Sequence, residues 1–194
     1  MNYPLRLSFK ILAIARQLSV TDSTGQLVFY VKQKAFKLKE AVTIFADEAQ
    51  TQPLFTIGAD RVIDFSARYH FRDQAGNALG SVKRQGMKSL WRSRYDIMRG
   101  EEVVLTIQEV NPWSKVFDSL FGEIPILGMF TGYVFHPAYE VLRTNGQPIL
   151  RIVKEPAFFE GKFRVDKIAE MHPQEELVAT LSLLMMVLLE RARG

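Results

Sequence analysis

Between residues 82 and 99 the chain reads VKRQGMKSLWRSRYDIMR, with lysine and arginine interleaved among aromatic and aliphatic residues. Read as extended backbone, Met87, Trp91 and Tyr95 share one face, while Lys88, Arg92 and Arg94 share the other with Leu90. Lys83 and Arg84 precede them across Gly86. Clustered bases of this kind do electrostatic work: each lysine or arginine near an anionic lipid surface contributes about 1 kcal/mol of attraction. The plainer reading is an ordinary solvated sheet face. The wider stretch from Arg61 to Arg99 holds nine Lys or Arg against three Asp, a local charge of +6 in a chain whose net charge is +4. The remainder therefore sums to −2, an asymmetry that favours an anionic partner.

Residue types suited to bond-making chemistry form no constellation. The histidines His70, His136 and His172 are far apart, and two of them precede proline. Cysteine is absent, which removes thiolate chemistry and any disulfide framework. There is no HExxH, phosphate-binding glycine loop, G-x-S-x-G or zinc spacing. Glu101 and Glu102 are adjacent, but one sequence does not pair acids across a fold. The expectation is a non-enzymatic protein with no metal and no cofactor. The first residues lack an apolar run long enough for a secretory signal, so the expected compartment is cytoplasmic.

The elements that would position the basic stripe are strands. In PLRLSFKI, Leu5, Leu7, Phe9 and Ile11 alternate with Arg6, Ser8 and Lys10. In RVIDFSARYHFR, Ile63, Phe65, Ala67, Tyr69 and Phe71 alternate with polar neighbours. Such alternation means antiparallel sheet with one buried face. An internal repeat runs through it. Asp22-x-x-Gly25 leads to Val31-Lys32 and Phe36; Asp73-x-x-Gly76 leads by the same spacing to Val82-Lys83 and Met87. Gly146 leads, with one extra residue, to Val153-Lys154 and Phe158. The unit reads as a hairpin that cannot bury its apolar face alone, so the copies must share one core within residues 1–194.

The carboxy-terminal stretch ELVATLSLLMMVLLERARG supplies what that core surrounds. Leu177 to Leu189 is uncharged, flanked by Glu175 and Glu176 before and Glu190 and Arg191 after. Thirteen residues rise only about 20 Å, short of the roughly 30 Å a bilayer needs. The helix predicted over 174–192 is apolar on every side and must be enclosed. In a strand-rich chain the enclosure is the sheet, curled into a closed barrel of about twelve strands.

With VTDSTGQLVFYVKQKAFKLKEAVTIFADEAQTQPLFTI near the start and a hydrophobic helix at the end, the chain resembles the LURP-one-related family. That family stands with the phospholipid scramblases and the Tubby carboxy-terminal domain in one superfamily. The resemblance implies a twelve-stranded antiparallel barrel threaded by the carboxy-terminal helix. It also implies anionic phospholipid or phosphoinositide headgroups as partners, with peripheral association at a membrane. Lys83, Arg84, Lys88, Arg92 and Arg94 are the candidate headgroup contacts. A second candidate lies in NPWSKVFDSLFGEIPILGMFTGYVF, where Asn111 caps and Pro112 opens an amphipathic helix over 112–121. Its plainer role is a lid on one barrel mouth. Its functional role would be an interfacial helix dipping Trp113 and Phe117 into lipid. Nucleic acid is disfavoured, because the aromatics near Trp91 fall on the face expected to be buried. Two rival roles stay open: a scramblase-like membrane protein, and a structural or protein-interaction barrel with no lipid ligand.

Overall fold

The computed structural model describes residues 1–10, 15–34, 41–61, 67–85, 94–110, 138–155 and 161–191. The alternating segments form twelve strands: β1 (Leu5–Lys10), β2 (Ala15–Thr21), β3 (Leu27–Lys34), β4 (Val42–Phe45), β5 (Pro53–Ala59) and β6 (Arg68–Asp73) come first. They are followed by β7 (Ala78–Arg84), β8 (Arg94–Arg99), β9 (Glu102–Glu109), β10 (Ala138–Arg143), β11 (Pro148–Glu155) and β12 (Gly161–Lys167). Each pairs antiparallel with its neighbours in sequence, and β1 pairs with β12 to close the barrel. In β1, Leu5, Leu7 and Phe9 are buried and Arg6 and Lys10 exposed, as the alternation predicts. Among the described strands, closure leaves no end of the sheet unpaired.

The interior is filled by α1 (Pro173–Arg191), within a residue at each end of the helix expected from the sequence. Proline opens it, where a missing N–H costs nothing, and Glu175 and Glu176 sit in the first turn against the positive end of the dipole. Met185 is 0% and Leu188 3% exposed, and Leu181, Leu183, Leu184, Met186 and Val187 are equally enclosed. Full burial of each such side chain contributes about 1.5–3 kcal/mol. Thr180 and Ser182, the two hydroxyls inside this run, donate back to the carbonyls of Glu176 and Val178 at 2.8 and 2.7 Å. Their polarity is thus satisfied within the helix. No helix among the described residues is long and apolar enough to cross a membrane. The amphipathic helix expected over 112–121 lies outside the described residues.

The repeat is real at the level of hairpins. The turns after β2, β6 and β10 share one hydrogen-bond pattern, with the N–H of Gly25, Gly76 and Gly146 donating to the carbonyls of Asp22, Asp73 and Arg143. All three glycines hold φ near +84°, a left-handed conformation in which a side chain is strained. Each hairpin carries its bulge at the equivalent place, between Val20/Thr21, Phe71/Arg72 and Val141/Leu142. The extra residue of the third copy has a consequence, because a one-residue slip exchanges the two faces of a strand. Val31 and Val82 point inward, but in β11 that role falls to Ile152, 1% exposed, while Val153 lies on the outer register. The third Val-Lys pair is therefore not equivalent to the first two.

Helix and wall meet most closely at Gly80 on β7, the strand nearest α1. A methyl group there would stand 3.0 Å from Cγ1 of Val178 and 3.1 Å from the Met98 carbonyl oxygen. The absent side chain sets how near the helix lies to this wall. Gly80→Ala is expected to lower stability by about 1–3 kcal/mol through overpacking, read as a shift in the urea midpoint. The equivalent change at Gly58, which has open space around it, serves as the control.

Candidate functional site

Because every strand reverses on its predecessor, the barrel has two chemically distinct rims. β1, β3, β5, β7, β9 and β11 end, and α1 ends, at what we call the C-rim; the helix starts at the opposite N-rim. The short turns of the N-rim are rich in acid: Asp22, Asp47, Glu48, Asp73, Glu101 and Glu102, joined by Glu170, Glu175 and Glu176 beside the helix start. The C-rim displays Lys10, Lys32, Lys83, Arg94, Lys154 and Lys162, all exposed. Acids do occur there, Asp60, Asp96, Glu109 and Glu155 among them, but the bases outnumber them. The polarity complements the helix dipole, with acids around its positive end and bases around its negative end.

The basic residues singled out from the sequence divide between two faces. Lys83 is exposed on the outer wall, directly opposite Asp96 of β8. Arg94 is also exposed and outward, opposite Gln108 of β9. Arg84 does not belong to that stripe. It shares the parity of the buried Val82, so it faces into the barrel mouth, half-buried, with its guanidinium 6.0 Å from the centroid of the Tyr95 ring. Lys88, Arg92, Trp113 and Phe117 lie outside the described residues. The strand ends flanking them belong to the C-rim: Gln85 donates to the Arg94 carbonyl at 2.9 Å, and Val110 to the Ala138 carbonyl at 2.8 Å.

Inside the C-rim mouth, Tyr95 is fully buried, as the inward aromatic face predicts, and its hydroxyl donates to the Glu190 carboxylate. Burial first, and then Glu190, pushes the Tyr95 phenol far above its ordinary range. Tyr139 is raised likewise, by burial and by the nearby Glu190 and Glu109. Both shifts favour the neutral phenol, and Tyr95 serves as a fixed donor at the helix end. Among the described residues, no three of His, Asp or Glu come together where a metal ion could be held.

At the N-rim the structure reveals a latch. Arg143 donates from Nε and Nη2 to the two carboxylate oxygens of Glu175 at 2.9 and 2.8 Å. It also reaches the Gln147 side chain at 2.8 Å and the Glu170 carbonyl at 2.7 Å. The Arg143 guanidinium beside it holds the Glu175 carboxyl below the usual carboxylate range. Sequence reasoning missed this pair, yet a signal existed. The first two repeats open their turns with aspartate; Asp22 and Asp73 bind the turn's own N–H groups, with Asp73 accepting from Asn77 at 2.8 Å. In the third, Asn145 takes over by accepting the N–H of Gln147 at 3.0 Å. That frees position 143 for an arginine that reaches the helix.

A closed antiparallel barrel of twelve strands around a carboxy-terminal helix is the tubby-like architecture. The model of the LURP-one-related family matches residues 27–124, just over half of the 194 residues, and the chain belongs to that family. The X-ray structure of a protein from Arabidopsis thaliana is similar at 15% identity and a TM-score of 0.48, with 96% of this chain and 91% of that chain covered. No curated protein matches the chain.

The latch predicts an acid-dependent stability term. Glu175 has a depressed folded-state pKa, so its contribution is present above the unfolded carboxylate value and is lost as pH falls through the folded one. Glu175→Gln is expected to cost about 1–2 kcal/mol near neutral pH. The gap from the parent should close as urea melts are repeated toward about pH 3. An equal gap at both pH values would mean that the charge is not what holds the latch.

Proposed function

We propose that this protein is a non-enzymatic binding module that sets its C-rim against anionic phospholipid surfaces. The observation that carries the reading is the opposed charge of the two rims: Lys10, Lys32, Lys83, Arg94, Lys154 and Lys162 at one end, clustered aspartate and glutamate at the other. A body polarised in this way meets an acidic leaflet in one orientation, with the N-rim turned away. At about 1 kcal/mol per basic residue near such a surface, a handful of these side chains suffices for peripheral attachment. The superfamily link to the Tubby domain and the phospholipid scramblases supports the same partner class, with phosphoinositides among the headgroups. Lys88, Arg92, Trp113 and Phe117 would add to the contact, since the strand ends on either side of them open onto this rim. Arg84 would act from within the mouth rather than on the outer stripe. The matching location is the cytoplasmic side of a membrane.

Vesicle cosedimentation tests the proposal. Binding should require phosphatidylserine or a phosphoinositide in a phosphatidylcholine background, and should weaken as salt rises from about 0.1 M to about 0.5 M. The combined variant Lys10→Ser, Lys32→Ser, Lys83→Ser, Arg94→Ser and Lys162→Ser should lose about 100-fold or more in affinity. Undiminished binding by that variant, or equal binding to neutral vesicles, would overturn the reading.

A further inference from the structure

Between α1 and the wall at the N-rim lies a cavity of about 590 Å³, open at its outer side. Its origin is local. Gly80 brings the helix close to β7 through Val178, and the space beside that contact runs from Leu79 of β7 past Met98 of β8 to Leu105 of β9 and Arg143 of β10. A bulge in the β8–β9 pairing widens it: Ile97 faces Leu105 and Met98 faces Val103, so Val104 has no partner. Val104 and Leu105, successive residues, consequently both line the cavity. Leu79, Met98 and Val178 complete the apolar half of the lining; His172, Gln174 and Glu175 at the helix start, with Arg99 and Arg143, make up the polar half.

The charges at the mouth are not equivalent. Arg143 is neutralised by Glu175 and further occupied by Gln147 and the Glu170 carbonyl. Arg99, which also lines the cavity, is exposed, and its side chain makes no hydrogen bond or ion pair among the described residues. The nearby carboxylate of Glu101 is taken by Arg68 at 2.7 Å. A recess lined about half by apolar and half by polar residues, with one guanidinium that has no side-chain partner among the described residues, has the composition of a site for an amphipathic anion. Its span from β7 to β10 covers three strand spacings, about 14 Å. The geometry points to a binding site for a medium-chain aliphatic carboxylate, its chain lying between Val178 and Val104–Leu105 and its carboxylate on Arg99. This site stands at the end of the barrel opposite the rim assigned to membranes and does not depend on that assignment.

Sodium decanoate, held below its micellar concentration, is the probe, and the ε-methyl group of Met98 in the full chain, ¹³C-labelled at methionine, is the reporter. Saturable one-to-one binding that shifts the Met98 signal is expected. Decanol, matched in length but uncharged, should bind about tenfold more weakly, and Arg99→Gln should weaken decanoate to the same degree. Val104→Trp, which fills the recess, should abolish the shift. Arg99 is exposed, so its variant keeps the test decisive even where the tryptophan variant does not fold. Absence of saturable binding, equal affinity for decanol, or decanoate binding unchanged in Arg99→Gln would overturn the inference.

Discussion

A helix that is apolar all the way round has no stable place in water, and that constraint organises this molecule. From Val178 to Leu188 every side chain of α1 is buried. A two-layer sheet would cover one side of such a helix and expose the other, whereas a closed wall covers all of it. Twelve strands close around α1, and their inward residues, Leu5, Ile44, Ile57, Phe71, Ile97, Ile107 and Ile152 among them, pack against it as one continuous core. The ends of the helix are held separately. Arg143 grips Glu175 at the start, and Tyr95 grips Glu190 at the finish. Burial supplies the energy, and these polar ties, together with Gly80, fix the helix's height and lean.

Filling the lumen has a functional consequence. A barrel with an empty interior could hold a ligand along its axis, but here that volume belongs to the protein's own helix. Among the described residues, the surfaces left open to a ligand are the rims, the outer wall and the recess where helix and wall separate. Charge sorts along the same axis. The N-rim turns use aspartate to satisfy backbone N–H groups, as Asp22, Asp47 and Asp73 do. That end becomes acidic for reasons of turn chemistry. At the C-rim Asp60 does the same for the N–H of Arg68 at 3.0 Å, while the described strand ends there also carry lysine and arginine. The resulting polarity is in part a by-product of how the N-rim hairpins are made, and the proposed orientation at anionic surfaces rests on it.

The architecture was legible because its signals are periodic. Alternation in Leu5, Leu7 and Phe9 located the wall, and the all-round apolar Leu177–Leu189 demanded an enclosure. The Asp-x-x-Gly turns announced hairpins that prove to share bonding, φ and bulge position. What failed was parity. Grouping Arg84 with Lys83 as one set of headgroup contacts overlooks that, two residues from the inward Val82, Arg84 must point inward. The third Val-Lys pair likewise changes face because β11 holds one residue more between its turn and that pair. Long-range pairs were invisible for a different reason. Arg143 and Glu175 are 32 residues apart, and nothing local couples them except the missing turn aspartate. The β8–β9 bulge that opens the N-rim recess left no mark in composition at all.

The most direct test of the enclosed helix uses the fact that the chain contains no cysteine. Single replacements Met185→Cys and Leu188→Cys, with the exposed Lys83→Cys as reference, can be challenged with a maleimide under native conditions. The enclosed helix predicts rapid labelling of the reference and none of the two core positions until denaturant unfolds the barrel. Labelling of Met185→Cys and Leu188→Cys at the reference rate in the folded protein would contradict it.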